Sequence, residues 1–384
     1  MKPRIRSPGF FLQDAHFTRS LVGPQRQHAT SCPPSAQLSP ASPVSRQWLR
    51  LTLVTITAAG VGGYIKWTQD AKAGSTTLNP VRFTSYELVS REPVSTTGSL
   101  FTIKPPKSDG SNLAIYEEAW NTGIWSVMFK QPQLQIGRDY TPLPPTSDTE
   151  GDVCLRFFIR KDPFGEVSRY LHSLKIGARI EVRGPRIECE IPLETETVIF
   201  VAGGTGIAPA LQAGHTLLRR TNQVNKPRIH ILWANRQRQD CVGGRNESTD
   251  AAAEVRPSWL SRIFGSKPDR SYALTKVGDT VESSLIVREI ETLKAQYPEQ
   301  VTVQYFVDEE SSFIGKRSIW DCTKSAESSS SGKGNRNLIL VSGPEGFIGY
   351  MAGPKIWAQG MELQGPLQGI IKELDLQNWA VWKL

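Results

Sequence analysis

The sequence predicts two domains in series, an antiparallel β-barrel and then an α/β domain on a parallel sheet, preceded by one transmembrane helix. Residues 81–195 read as short strands separated by turn residues, which is typical of an antiparallel barrel. From residue 196 to residue 384, apolar strands alternate with helical stretches, which favours a parallel sheet. Ahead of both, residues 48–67 are mostly apolar and long enough to cross a bilayer.

Strands of the barrel are predicted at four places, which are residues 81–89, 124–129, 153–159 and 179–183. The last of these alternates polar and apolar residues and stops at Gly184-Pro185, a pair typical of a turn.

The α/β domain opens with the apolar run Thr197–Val201, as expected for a strand buried on both faces. Further strands and helices are predicted at 210–220 (helix), 229–234 (strand), 283–296 (helix), 301–307 (strand) and 338–341 (strand). Two polar insertions, about 242–271 and 323–336, are predicted to be disordered.

The charge of the chain is concentrated at its N-terminus. The net charge is +8, and residues 1–67 carry eight basic residues against one acid, Asp14. The remaining residues carry 37 basic and 36 acidic side chains, so the folded part is nearly neutral. A nucleic-acid-binding protein keeps a basic face on its folded domain, so we expect no nucleic-acid partner.

Cysteine and histidine patterns predict neither a disulfide scaffold nor a metal site. The five cysteines form no C-x-x-C pair, and the five histidines are not spaced as ligands. We therefore expect no bound metal.

Residues 1–46 have the composition of a mitochondrial transit segment. They contain six Lys or Arg, one acid, seven Ser and seven Pro. A disordered N-terminal tail is the alternative interpretation.

The apolar stretch Trp48–Trp67 has 20 residues, about 30 Å as a helix, and is uncharged from Leu51 to Ile65. Arg50 and Lys66 near its ends can extend their charges to the interfaces. The basic excess before it predicts that its N-terminal side faces the mitochondrial matrix. The domains would then face the intermembrane space. An amphiphilic core helix is the alternative.

The first motif with chemical meaning is Arg138-Asp139-Tyr140-Thr141-Pro142. An arginine neutralises the pyrophosphate of a flavin dinucleotide. Tyr140 lies on the same face of a strand as Arg138 and can stack on the flavin ring. An ordinary barrel strand is the alternative interpretation of these residues.

A second motif, Gly165-Glu166-Val167-Ser168, opens a helix predicted from Val167 to Leu174. The free N–H groups of a helix N-terminus bind phosphate, and the Ser168 hydroxyl can add a hydrogen bond. A plain turn with an N-cap is the alternative.

Two glycine-rich turns follow strands of the α/β domain. Gly203-Gly204-Thr205-Gly206 leads into a helix, and its glycines allow close approach of a pyrophosphate. Ser342-Gly343-Pro344 follows the last apolar strand, where Gly343 can let a nicotinamide approach. Tight turns without a ligand are the alternative.

These four motifs, in this order, resemble the ferredoxin–NADP reductase superfamily over about residues 81–384, and most of all its NADH–cytochrome b5 reductase branch. The resemblance implies an FAD-binding barrel over 81–195 and an NAD(P)-binding domain over 196–384. FAD would be held by the residues of the first two motifs, which are Arg138, Tyr140, Thr141, Gly165, Val167 and Ser168.

The same resemblance assigns the α/β domain to NADH or NADPH. Thr205 would touch the flavin, and the nucleotide site would be lined by Gly203, Gly204, Gly206, Ser342, Gly343 and Pro344. Asn235 and Asp240 would lie near the adenosine, where Arg236 and Arg238 leave the choice of nucleotide open. No catalytic side chain is identified, because hydride transfer from nicotinamide to flavin needs no protein nucleophile.

The leader, the membrane span, 140–145, 342–347 and the tail 378–384 resemble the fungal mitochondrial cytochrome c import or haem-attachment flavoproteins. That resemblance implies an inner-membrane NAD(P)H oxidoreductase with haem, cytochrome c haem lyase and apocytochromes as partners. A cytochrome b5 reductase and an FAD-stabilised assembly scaffold with little turnover are the alternatives. Ser342 stands where superfamily reductases commonly carry Cys, which predicts slower hydride transfer.

Overall fold

A computed structural model of the chain describes residues 77–107, 110–146, 153–220, 226–246, 283–327 and 337–384. The predicted transit segment 1–46 and the predicted span 48–67 lie outside these residues. Within the described ranges, none of the helices combines the length and the apolar character needed to cross a bilayer.

The first domain is a seven-stranded sheet in which every neighbouring pair is antiparallel, in the order β4-β3-β7-β1-β2-β6-β5. Thr141 alone joins the two edge strands, so the sheet curls back on itself. The predicted antiparallel domain is confirmed. The strands are β1 Thr84–Pro93, β2 Gly98–Lys104, β3 Gly123–Gln131, β4 Ile136–Tyr140, β5 Pro142–Leu143, β6 Leu155–Arg160 and β7 Arg179–Glu190.

Large aromatic side chains fill the interior of this sheet. Phe129 and Phe157 pack edge to face with ring centroids 4.8 Å apart, and both are fully buried. Helix α1 (Leu113–Thr122), which the sequence did not predict, covers one end with Tyr116, Ala119 and Trp120. Helix α2 is Glu166–Ser173.

The turn predicted at Gly184-Pro185 is wrong, because β7 continues through this pair to Glu190. The strand can continue because β3 pairs with it on both sides of the glycine, with Met128 opposite Arg183 and Ser126 opposite Arg186. A register shift between these two pairs accommodates the Gly-Pro step.

The second domain is a five-stranded parallel sheet in the order β10-β9-β8-β11-β14, which confirms the predicted parallel sheet. All seven residues of β8 are buried, as its continuous apolar run predicts. The strands are β8 Thr197–Gly203, β9 Arg228–Asn235, β10 Val301–Val307, β11 Asn337–Ser342 and β14 Trp379–Lys383.

Helices cover both faces of the parallel sheet. Helices α3 (Ile207–Arg219) and α4 (Leu285–Gln296) bury their apolar sides against one face. Helices α5 (Lys316–Glu327), α6 (Glu345–Ala352) and α7 (Gly369–Glu373) cover the other.

The two insertions predicted to be disordered are only partly described. Helix α5 reaches Glu327, so the start of the range 323–336 is helical, contrary to the prediction. Ile319, Cys322 and Ala326 lie on one face of that helix and are buried, a helical spacing within a polar sequence. Of the range 242–271, residues 242–246 are described, and the Asn246 side chain bonds to both backbone polar groups of Tyr305 at 2.8 and 2.9 Å.

Side chains of helix α3 join the two domains through hydrogen bonds. The side-chain oxygen of Gln212, which is fully buried, accepts the N–H of Trp125 at 2.9 Å, and its amide nitrogen donates to the carbonyl of Pro142 at 2.9 Å. Thr216 donates its hydroxyl to the carbonyl of Trp120 at 2.8 Å. All described residues belong to one structural unit.

A small hairpin that the sequence did not predict lies between α6 and α7. Its strands are β12 Ile356–Ala358 and β13 Met361–Leu363, which pair only with each other. The buried ammonium of Lys383 on β14 holds its base, donating to the carbonyls of Pro354 at 3.1 Å and Pro366 at 3.2 Å.

Candidate functional site

A cleft of about 820 Å³ lies between the two sheets and is lined from both domains. Gly203 and Gly204, which were predicted as site residues, do not line it. The predicted site residues that do line it come from all four motifs: Arg138, Tyr140, Thr141, Gly165, Val167, Ser168, Thr205, Gly206, Ser342, Gly343 and Pro344.

Strand β4 presents the first motif to the cleft. The ring of Tyr140 packs edge-on against Phe129, with centroids 5.3 Å apart, and burial raises the pKa of its hydroxyl. The Arg138 side chain is exposed, and its hydrogen bond within the described structure goes to the carbonyl of the adjacent Gly137. Tyr140 is therefore fixed in place while the Arg138 guanidinium is available to a ligand.

Three cations of the cleft have no carboxylate partner among the described residues. They are Arg138, Lys161 and Arg236, and all three line the cleft. Uncompensated cations in a cleft favour binding of an anion, and a dinucleotide carries its pyrophosphate as such an anion. The residues present therefore fit a bound dinucleotide.

The Gly165–Ser168 motif forms a tight turn before α2. The Ser168 hydroxyl donates to the carbonyl of Gly165 at 3.0 Å and accepts the N–H of Asp162 at 3.1 Å. A β-carbon on Gly165 would lie 2.7 Å from that hydroxyl oxygen, so glycine is required here. The Ser168 hydroxyl therefore shapes the turn and also lines the cleft, and its contact with a phosphate stays a prediction.

Phe164 in the same turn was missed by the sequence reasoning. Its side chain lines the cleft and is 90% exposed. An exposed ring beside uncompensated cations suits stacking with a planar base. The available signal was an aromatic residue directly before the glycine of a predicted phosphate turn.

The glycine turn after β8 packs closely against the end of β11. A β-carbon on Gly206 would lie 2.4 Å from the carbonyl oxygen of Ser342, and one on Gly203 would lie 2.9 Å from the Phe347 ring. Gly204 has a positive φ of 55°, and its carbonyl accepts the indole N–H of Trp233 at 2.8 Å. Gly203 and Gly204 therefore build the turn, and Thr205 and Gly206 present it to the cleft.

Arg160 links the barrel to the α/β domain across the cleft. Its guanidinium donates to the hydroxyl of Thr97 at 3.1 Å and lies 3.6 Å from a carboxylate oxygen of Asp240. Asp240, which the resemblance places near the adenosine, is 6% exposed. Its charge is therefore compensated by the barrel.

The two arginines that follow β9, Arg236 and Arg238, left the choice between NADH and NADPH open, and the structure gives them different environments. Arg238 is paired with Glu310, with its Nε donating at 2.6 Å, and its backbone N–H donates to the Glu309 carboxylate at 2.5 Å. The hydrogen bond between the Arg238 and Glu310 side chains raises the pKa of Arg238 and lowers that of Glu310. Arg236, in contrast, is exposed and lines the cleft.

Paired charges surround the remaining part of the cleft, which we call the cleft mouth. Arg186 on β7 lies 3.2 Å from Asp139 and 3.6 Å from Glu188, and Ser126 donates to Glu188 at 2.6 Å. Burial raises the pKa of Asp139, and Arg186 opposes that shift. From the α/β domain, Lys355 and Glu362 of the hairpin segment also line the cleft and pair at 3.1 Å.

No described cluster of His, Cys, Asp and Glu is arranged to hold a metal ion. The described cysteines form no disulfide with one another, and burial raises the pKa of Cys241 and Cys322 to about 11. Thiols with such pKa values are poor nucleophiles at neutral pH.

Comparison with known families agrees with this geometry. Residues 87–191 match the oxidoreductase FAD-binding domain, and residues 200–259 match the oxidoreductase NAD-binding domain. The chain is therefore an FAD- and NAD-binding oxidoreductase of the ferredoxin–NADP reductase superfamily. Within that superfamily it belongs with the NADH–cytochrome b5 reductase-like proteins.

Two curated relatives, which are described first, support that placement. NADH-cytochrome b5 reductase 2-A of Vanderwaltozyma polyspora is 25% identical over 301 residues, covering 76% of this chain and 80% of the relative. Cytochrome c mitochondrial import factor CYC2 of Saccharomyces cerevisiae is 32% identical over 155 residues, covering 37% of this chain and 42% of the relative. The cytochrome b5 reductase domain of Ulva prolifera nitrate reductase matches with 17% identity and a TM-score of 0.44, covering 72% of this chain and 92% of that domain.

Proposed function

We propose that this oxidoreductase passes electrons from NAD(P)H through FAD to a haem or to an assembly partner, in support of haem attachment to cytochrome c. The observation that carries this proposal is the 32% identity to a cytochrome c mitochondrial import factor. Haem lyase and apocytochromes are the proposed partners. Cytochrome b5 as acceptor is the second candidate, favoured by the similarity to NADH-cytochrome b5 reductases.

The chain contributes binding and orientation to this reaction. FAD, when bound, accepts hydride from a reduced nicotinamide and releases the electrons singly. We assign phosphate binding to Arg138, Lys161 and Arg236, and ring contacts to Tyr140 and Phe164. The buried apolar side chains of Ile124, Phe158 and Ala208 also line the cleft and keep water from the reacting rings.

On the other wall, Thr205 and Gly206 face Ser342, Gly343 and Pro344, where we place the nicotinamide. Both turns follow carboxyl ends of neighbouring parallel strands, the usual ligand position in such sheets. The close packing of Gly206 on the Ser342 carbonyl fixes the distance between the two turns.

Mixing the full-length protein with NADH under anaerobic conditions tests this function. We expect the flavin absorbance to bleach and then to recover when ferricytochrome c is added, with reduction of the cytochrome. Bleaching without recovery would exclude a haem acceptor of this type. A flavin that NADH leaves oxidised would favour the assembly scaffold.

We also propose that the protein is anchored in the mitochondrial inner membrane with its domains in the intermembrane space. The relative named as a mitochondrial import factor and the composition of residues 1–67 support this location. Protease added to mitochondria with ruptured outer membranes should digest the domains. Protection until the inner membrane is lysed would place them in the matrix.

The pairing of Arg238 with Glu310 leads us to propose NADH as the preferred donor. A 2′-phosphate needs a free cation beside the adenosine ribose. The Arg238 guanidinium is already bound by a carboxylate, and we assign the other arginine, Arg236, to the pyrophosphate. Glu310→Ala should release Arg238 and raise the NADPH-to-NADH ratio of kcat/KM by roughly 10-fold or more, since hydrogen bonds to charged groups contribute about 1.5–3 kcal/mol.

The matched control for this variant is Glu373→Ala, because Glu373 is another exposed glutamate that pairs with a base, Lys316. We expect the control to leave the ratio unchanged. An unaltered ratio in Glu310→Ala would show that Arg238 is not at the 2′ position of the ribose.

A further inference from the structure

The hairpin β12–β13 has two different faces. Its register places Trp357 opposite Glu362, whereas Ile356 is opposite Leu363 and Ala358 is opposite Met361. Residues opposite each other in an antiparallel pair share a face, and successive residues alternate. Trp357 and Glu362 therefore share one face, and the aliphatic side chains share the other.

The tryptophan face is the one turned toward the cleft. Glu362 lines the cleft, and so does Lys355, which bonds to Glu362 at 3.1 Å and lies two residues before Trp357. Trp357 itself is 76% exposed. Trp357 therefore lies next to the lining residues Lys355 and Glu362 at the cleft mouth, with its side chain open to solvent.

The hairpin stands at the end of the cleft where we place the nicotinamide. Lys383 holds its base, and β14, which carries Lys383, is the neighbour of β11 in the sheet. Strand β11 ends at Ser342, the first residue of the predicted nicotinamide turn. Glu310, by contrast, follows β10 at the opposite edge of the sheet.

The charges at the cleft mouth are paired and sum to a net charge of only −1, since two cations face three carboxylates. Arg186 on the barrel side is shared by Asp139 and Glu188, and Lys355 on the hairpin side is paired with Glu362. Such pairs produce little net field at the distance of a Debye length, about 8 Å at physiological salt. Electrostatic steering of a partner to this mouth is therefore weak.

Exposed apolar surface is the remaining means of recognition. Trp357 is exposed on the face toward the cleft, and Ile356, Met361 and Leu363, on the other face of the hairpin, are 42%, 56% and 40% exposed. A lone two-stranded hairpin is marginally stable in water, and exposed apolar clusters commonly mark contact sites. Tryptophan is also enriched among the residues that dominate binding energy at interfaces.

We propose that this hairpin binds the electron acceptor, and that the acceptor is a haem protein whose exposed haem edge packs on Trp357. The proposal rests on the proposed function and specifies its partner. A haem edge is planar and apolar, which matches the exposed Trp357 ring on a face whose two charges, Lys355 and Glu362, are paired with each other. Oxidation of one NADH to NAD⁺ with release of one proton supplies two electrons, which reduce two ferric haems to ferrous haems.

The test separates donor and acceptor reactions in the full-length protein. Trp357→Ala should lower kcat/KM for ferricytochrome c by roughly 30-fold, the effect of a strong interface residue. Flavin reduction by NADH and turnover with the small acceptor ferricyanide should stay at wild-type values. Trp357→Phe should restore most of the activity toward ferricytochrome c, and the wild-type rate should depend little on salt.

The matched control is Trp320→Ala. Trp320 lies on α5, is 41% exposed and sits beside Lys324, and it does not line the cleft. This variant should behave as wild type toward ferricytochrome c.

Three results would overturn the proposal while leaving the proposed function standing. They are an unchanged rate with ferricytochrome c in Trp357→Ala, an equal loss in flavin reduction by NADH, and a steep fall of the wild-type rate with salt. The second would make the hairpin a nucleotide lid, and the third would indicate charge-driven docking. A wild-type flavin that NADH does not reduce would instead refute the proposed function.

Discussion

Arg138→Ala is expected to strip FAD from the protein. Arg138 is exposed in the cleft and has no carboxylate partner among the described residues, so its charge is available to the pyrophosphate. Hydrogen bonds to charged groups contribute about 1.5–3 kcal/mol each, so losing two of them should weaken FAD binding roughly 100-fold or more. The flavin-to-protein absorbance ratio after purification, followed by titration with FAD, measures this loss.

Two variants control for indirect effects of that substitution. Arg183→Ala removes a guanidinium that lies over Phe83 and not in the cleft, and it should retain FAD. Arg138→Lys keeps the charge without the planar fork and should bind FAD with intermediate affinity. Wild-type FAD content in Arg138→Ala would remove Arg138 from the phosphate site.

Gly206→Ala is expected to abolish most flavin reduction by NADH while leaving FAD bound. The added β-carbon would lie 2.4 Å from the Ser342 carbonyl oxygen, a backbone atom that cannot move without shifting β11. Separating the two turns by about 1 Å should cost roughly 100-fold in rate. Rapid mixing with NADH measures the rate, and the absorbance ratio reports FAD content.

The control for this variant is Gly346→Ala in α6, where nothing lies within 4 Å of the added β-carbon. Its rate should match that of the wild type. If Gly206→Ala reduces its flavin as fast as the control does, the spacing of the two turns does not govern hydride transfer.

Much of the fold was predictable because it depends on local patterns. The apolar run of β8, the glycine turn after it and the alternation at the start of β7 are each contained within a few residues. Such segments specify a strand or a turn wherever they occur. The positions of Arg138, Tyr140, Gly206 and Ser342 around one cleft follow from those elements together.

Other parts of the site depend on contacts between distant residues. Arg238 and Glu310 are 72 residues apart in the chain, so no local sequence pattern predicts that they pair. Arg160 meets Asp240 from the other domain in the same way. The hairpin has strands of three residues each, which are too short to show a period. The slower hydride transfer predicted for Ser342 stays a prediction.

The hydrogen bonds that helix α3 makes to the barrel limit the domain movements by which NAD(P)H and NAD(P)⁺ can exchange. The helix begins directly after Gly206, and two turns later Gln212 is bonded to Trp125 and to Pro142, the residue after Thr141. A hinge opening of the two domains would break these buried hydrogen bonds, each of which contributes about 0.5–1.5 kcal/mol, and would expose the interface between the domains to water. We therefore expect nucleotide exchange to use local movement of the turns and the hairpin, and we expect the barrel and the parallel sheet to melt as one cooperative unit.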